Sequence, residues 1–286
     1  MTMAMSETEK PQGASERRPQ NLVTRRIVTY LRPRAELSSG ERLTISALGV
    51  LLFFGVWFLV TVAGWIQPFF LPSPLSVAKR LFEMVTSQGY LIDVWASIYR
   101  VFGGFIIAAL AAIPTGILIG NFPFFRSLLE PLLSTARYLP ATAFVPLMII
   151  WLGIDESQKI AVIFIGTFFP LALFIANISE GVSNDLLNSA YTLGASSRQV
   201  FFRVLLPACV PSIVDALRIT AGIAWTYVIV AELVGADKGM GIAILQSQRF
   251  LLTDQVIAGI AAVGILGVIT DLLFRLAHRK LFPYMY

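Results

Sequence analysis

Six stretches of this chain are apolar over roughly the length that a bilayer crossing requires: residues 43–66, 98–120, 139–154, 159–178, 212–234 and 254–276. A hydrocarbon core about 30 Å thick takes about 20 consecutive, mostly apolar residues to cross as a helix. Inside it each backbone N–H and C=O must be satisfied within the protein, which leaves helices or closed barrels as spanning structures. Continuous apolar runs select helices, so the fold class expected is all-α, a polytopic membrane protein with six transmembrane helices. The third stretch is the shortest and is interrupted by Pro140 and Pro146. Composition agrees: only 14% of the residues are charged, against about 25% in soluble domains, and the mean hydropathy is +0.75.

Lys and Arg are retained on the cytoplasmic side of a membrane, so their distribution predicts which way round the chain sits. With the N-terminus inside, segments 1–42, 121–138, 179–211 and 277–286 are cytoplasmic and hold fourteen Lys or Arg. The opposite segments hold four, Lys79, Arg80, Lys238 and Arg249. Both termini are therefore expected in the cytoplasm, with 1–42 and 277–286 as tails on a permease domain at 43–276. Residues 1–42 carry no short apolar core before a cleavage site, so no secretory signal is expected. Residues 1–20 are polar enough to predict disorder. Over 21–32, Leu22, Ile27, Tyr30 and Leu31 among basic residues fit either a plain topology anchor or an amphipathic helix on the inner leaflet.

Several chemistries are excluded early. The single cysteine, Cys209, and the single histidine, His278, rule out an intramolecular disulfide and a Cys-cluster or multi-His metal site, and the place of His278 in a basic tail argues against a His-based catalytic triad. No G-x-x-x-x-G-K-[ST] sequence occurs, so this chain has no phosphate-cradling loop for ATP. No catalytic residue, metal, cofactor or nucleic-acid partner is expected of it.

Helix packing leaves a clear mark in the second span. Gly104, Ala108, Ala112, Gly116 and Gly120 recur at every fourth position. Such a stripe lets backbones approach closely in lipid, where burial from water no longer drives association. Pro114, within the same span, is expected to kink it or free a carbonyl. Around the third span, Pro140 and Pro146 predict irregular backbone, which is tolerated at membrane depth where protein or a water-filled cavity lies alongside. Pro72 and Pro74 predict a loop, followed by an interfacial helix that carries Val77, Leu81 and Val85.

The most informative polar segment is NDLLNSAYTLGASSRQVFFRVLLPACVPS, from Asn184 to Ser212. Leu186, Leu187, Ala190 and Leu193 share one helical face, Gly194 suits a sharp break, and Ser196 or Ser197 can cap a second helix. Pro207 and Pro211 are expected to limit that second helix. The spacing resembles the cytoplasmic signature loop of ABC-importer permeases, which reads E-A-A, three residues, G, nine residues, I-x-L-P. Here the glycine is Gly194, the apolar position Val204 and the L-P pair Leu206-Pro207. Asn188 and Ser189 stand in place of the family's Glu and Ala, and Ala190 matches. The PSP element at 72–74 adds a resemblance to the permeases of the nitrate, taurine, sulfonate and bicarbonate group.

The resemblance spans about residues 43–280 and implies a type I importer permease in the bacterial inner membrane. By it, Asn188, Ser189, Ala190, Gly194 and Ala195 dock on an ATPase, with Val204, Leu206 and Pro207 completing the loop. It further implies two ATPase chains that hold ATP and Mg2+, a second permease copy and an extracytoplasmic binding protein. Alternating access would then move a small oxyanion across. Candidates for the path are Arg100, Arg137 and Tyr138 with Pro140, and Trp225, Tyr227 and Glu232. Of these, Glu232 is expected to act structurally or in gating, since a bare carboxylate repels an anion. Asp215 and Arg218 are expected to form an interfacial ion pair. The competing reading is a secondary transporter or channel with no ATPase; it predicts paired mid-span carboxylates or repeats, and neither is evident.

Overall fold

The structure, a computed structural model, describes residues 37–87 and 89–285. The expectations for 1–20 and 21–32 lie outside the described residues. Helices and turns make up the described chain, with no strand among those residues. In order the helices are α1 (Ser39–Val62), α2 (Pro74–Ser87), α3 (Tyr90–Asn121), α4 (Pro123–Ala136) and α5 (Val145–Leu152). They continue as α6 (Glu156–Glu180), α7 (Asn184–Thr192), α8 (Ser197–Val200), α9 (Leu206–Glu232), α10 (Met240–Arg249) and α11 (Thr253–Leu281). A boundary between two compact units falls inside α1, after Trp57. The second unit begins at Phe58 and holds the helices from α2 onward.

Among the described residues, five helical stretches are long and apolar enough to cross a membrane: α1, α3, α6, the run from Ser197 to Glu232, and α11. A sixth crossing exists if α4 and the segment Ala141–Leu152 count as one span, and the two are bent by 87°. The third span therefore departs from the sequence expectation. Residues 121–138 are not a plain loop: 14 of them form α4, which packs on α3 and α6. Residues 139–154 hold a 3-10 turn (Ala141–Phe144) and the eight-residue α5. The reason lies in the prolines. Pro123 starts α4 at the position where a missing N–H costs nothing. Pro140, extended at ψ 118°, blocks its continuation and starts the 3-10 turn.

The bundle is organised around α3 and α6, which pack along their length. Gly104, Ala108, Ala112, Gly116 and Gly120 of α3 form the contact, and the glycines show why larger residues do not fit. A Cβ at Gly104 would stand 2.7 Å from Ile163 Cβ and 2.9 Å from the Ile160 carbonyl oxygen. At Gly116 it would stand 2.5 Å from the Ala172 carbonyl oxygen, and at Gly120 it would strike Ser179. Outside this seam the surface is apolar, with Ile106, Leu110, Val268 and Leu272 exposed, as suits a lipid-facing wall. Pro114, expected to kink the span or free a carbonyl, lies inside α3, which is continuous across it.

One end of the bundle carries the α6–α7 turn and the start of the Ser197–Glu232 run; we call it the elbow end. There a core cluster joins Ile117 and Ile119 of α3 to Leu133, Leu171, Ile175, Cys209 and Ile213. Arg126 of α4 secures the same end. It pairs with Glu180 at 2.8 Å and donates to the Gly120 carbonyl at 3.1 Å, at the C-terminus of α3 where a cation is favoured.

Candidate functional site

Three features of this bundle carry chemistry: the elbow, a buried ion network at the opposite end, and a cavity at mid-height.

At the elbow, Ser183 caps α7 by accepting from the Asp185 N–H at 3.2 Å. The helix ends at Gly194, φ 84°. The Gly194 N–H donates to the Tyr191 carbonyl and the Ala195 N–H to that of Ala190, at 2.9 and 3.1 Å. This pair of bonds is the Schellman closure, which favours glycine at the left-handed position. Ser196 and Gln199 then form a capping box that starts α8. The outcome is a rigid, sharply turned tip. Leu193, at its apex, is 89% exposed, and Asn188, Ser189 and Tyr191 are exposed beside it. Leu193 does not share the buried side of α7 as its helical spacing suggests, because it caps the helix and leaves helical geometry (φ −78°, ψ 7°). Leu187 packs on the core instead.

The segment after the elbow also differs from expectation. Pro207 and Pro211 do not end the helix. A five-residue π-helical turn, Phe201–Leu205, runs directly into α9, with the Leu206 N–H bonded to the Phe201 carbonyl. Widening the turn to i−5 removes the clash that a proline ring makes with a regular i−4 ladder. Val204 is half-buried within this turn, Leu206 half-buried and Pro207 exposed just beyond it.

At the opposite end the buried carboxylate of Glu232, at the end of α9, organises a network. Its Oε1 accepts from Ser97 Oγ at 2.7 Å and from Arg100 Nη1 at 2.8 Å, and its Oε2 from the Gly241 N–H at 2.7 Å. Arg100 also pairs with Glu156 of α6 and donates to the Lys238 carbonyl. Ser97 Oγ accepts from the Met240 N–H at 2.9 Å, and Asp93 Oδ1 from the Gly239 N–H at 2.8 Å. Three successive N–H groups at the start of α10, which lack intrahelical partners, are thus bound by side chains of α3 and α9. Gly239, φ 136°, permits this: a Cβ would stand 2.5 Å from Glu232 Cδ.

The cavity lies where the third span breaks. It measures about 290 Å³ and is lined by Arg137, Tyr138, the middle of α6 at Ile165–Pro170, and Ile223 and Tyr227 of α9. Arg137 stacks on the Tyr138 ring, 4.9 Å from its centroid, and donates to the Tyr138 hydroxyl at 3.0 Å. Gly166 lets the Tyr227 ring lie against α6; a Cβ there would overlap the ring.

The candidate path residues therefore separate into two groups. Arg137, Tyr138 and Tyr227 meet at the cavity, with Pro140 starting the adjoining 3-10 turn. Arg100 and Glu232 lie in the end network, where two carboxylates already engage the guanidinium. Trp225 of α9 is buried and donates to Thr270 Oγ1 of α11 at 3.1 Å; it is not among the cavity's lining residues. The expected Asp215–Arg218 pair, at 3.5 Å, is one link of a chain in which Arg218 also meets Asp271 at 3.4 Å and Asp271 meets Arg275 at 2.7 Å. Sequence reasoning did not identify Ser97, Asp93 and Glu156. They are small or surface-typical polar residues within helices, and the contacts that give them meaning join distant parts of the chain.

A helical membrane bundle with an exposed glycine elbow and a broken span defines the permease class of transport subunit. Residues 112–283 match the family described as binding-protein-dependent transport system inner membrane components, and the chain belongs to that family. It is 36% identical over 259 residues to the taurine transport system permease protein TauC of Escherichia coli K12, covering 89% of this chain and 94% of the relative. It is 34% identical to the putative aliphatic sulfonates transport permease protein SsuC of Bacillus subtilis 168, covering 80% and 83%. It is 32% identical to the nitrate import permease protein NrtB of a Synechocystis strain, covering 70% and 76%. Among solved structures, a chain of the MetNI methionine ABC transporter superposes with a TM-score of 0.59 at 19% identity, covering 67% of this chain and 95% of that one. That likeness concerns the fold.

Proposed function

We propose that this chain is the membrane-spanning subunit of an ATP-driven importer for a small sulfonate or comparable oxyanion, delivered by an extracytoplasmic binding protein. Two copies work on two separate ATPase chains, which hold ATP and Mg2+, with the elbow and both termini in the cytoplasm. The observation that carries this reading is the elbow itself. A capped, Schellman-closed turn presents Leu193, Tyr191, Asn188 and Ser189 outward and continues without a flexible joint into α9. A rigid protrusion of this kind suits a lever between a soluble partner and a span.

The relatives named above transport taurine, aliphatic sulfonates and nitrate, which supports a small oxyanion as the solute. The test is to reconstitute the chain in lipid with a candidate ABC ATPase and binding protein from its own genome. ATP hydrolysis is expected to rise with the loaded binding protein. Gly194→Val, which places a β-branched residue at φ 84°, is expected to reduce that stimulation at least about tenfold while the bundle stays folded, since the strain is local and of order 1–3 kcal/mol. Solute flux that persists without ATP, and no association with any ATPase, would instead establish a secondary transporter.

A further inference from the structure

We infer that the mid-height cavity at the break of the third span binds the oxyanion head of a small anionic solute, with Arg137, Tyr138 and Tyr227 as its polar contacts. The inference rests on the importer reading above and specifies where the transported group is held.

The first support is electrostatic. Arg137, like Arg198, Arg203 and Arg249, forms no ion pair with a carboxylate among the described residues, and of these four it is the one that lines the cavity. Its neighbour is a phenol, to which it donates through Nη2, so its remaining N–H donors are available. The second support is composition. The lining contains no Asp or Glu, so an anion entering it meets one cation and no opposing charge. Tyr227 lies on the same cavity and has a hydroxyl that can donate. A guanidinium and phenols arranged in this way suit a tetrahedral or planar oxyanion, which the guanidinium can bind in a bidentate manner.

The third support is shape. Ile165, Phe169 and Ile223 form apolar walls, and about 290 Å³ lies near the lower end of small-molecule sites. A short alkyl body fits such walls. The site's depth matters too: Arg137, just past the end of α4, lines the cavity together with Ile165–Pro170, the middle of α6. A broken helix at that depth is the setting in which irregular backbone is tolerated because it borders a cavity. The absence of a lining carboxylate leaves an ammonium group without an ionic partner. The site is therefore expected to prefer plain sulfonates to their amino derivatives.

The test uses the full-length chain in lipid nanodiscs, with and without its ATPase, titrated calorimetrically with ethanesulfonate, taurine and, as a cationic control, choline. Saturable binding of ethanesulfonate is expected, tighter than taurine, with none of choline. Arg137→Ala is expected to weaken it about 10- to 100-fold and Tyr227→Phe about 2- to 10-fold, as the loss of a charged and a neutral hydrogen bond respectively. Arg137 is exposed and its recorded contacts are with Tyr138, so its removal is expected to leave the core intact, and Arg137→Lys, which keeps the charge, to retain part of the affinity. Absence of ethanesulfonate binding, or binding unchanged by Arg137→Ala, overturns the assignment. Because ATPase association is measured on the same samples, either result is distinguishable from failure of the importer reading.

Discussion

At the scale of single residues, Glu232 shows how a carboxylate survives burial. It accepts hydrogen bonds from Ser97, Arg100 and the Gly241 N–H, and it is fully buried. Removing one member of such a pair leaves the other uncompensated, which costs about 3–5 kcal/mol, whereas replacing both by apolar residues is often neutral. Arg100→Ala is therefore expected to lower thermal stability sharply in lipid nanodiscs, and Arg100→Met combined with Glu232→Leu to recover most of that loss. If the double variant proves as unstable as the single one, the Gly241 N–H bond and not the ion pair holds this end. Glu232 was readable in the sequence as an isolated acid near a span end, with a structural or gating role. Its partners were not: Ser97 and Asp93 resemble any polar residue at a helix start, and Glu156 belongs to a loop-like GIDESQK.

At the scale of elements, the α3–α6 seam follows directly from a visible pattern. Small residues at every fourth position lie along one face of a helix, and in lipid such a face seeks another backbone. Gly116→Leu is expected to destabilise the bundle by about 2 kcal/mol or more, since its side chain would overlap the Ala172 carbonyl and Ile175. Gly264→Leu, on α11 with open space at its Cβ, is expected to change little. Thermal unfolding of the two variants side by side checks both. The elbow was legible for the same reason, because Gly194, Ser196 and the helical spacing before them each act locally. The third span was not, since its length emerges from two helices joined at an 87° bend, and no sliding window of hydropathy adds segments that turn a corner. The π turn escaped notice because Pro207 reads as a helix end unless the preceding turn is known to widen.

At the scale of the whole molecule, charge distribution predicts sidedness, and the single cysteine makes it testable. Cys209 is buried, so the natural chain serves as a background for introduced thiols. Asn188→Cys at the elbow is expected to react with a membrane-impermeant maleimide only in inverted vesicles, and Lys238→Cys only in intact spheroplasts. The reverse pattern would place the elbow outside and remove it from any cytoplasmic ATPase. The network around Arg100 also has a consequence for how the chain is made. Glu156 follows Arg100 by 56 residues and Glu232 by 132, which at about 5–20 residues per second separates their synthesis from that of Arg100 by roughly 3–11 s and 7–26 s. Of the two carboxylates that pair with this arginine, Glu156 is thus the first to be made. The N–H groups of Gly239, Met240 and Gly241 are made after Asp93, Ser97 and Glu232, so the bonds that seat α10 on this network are among the last it can form.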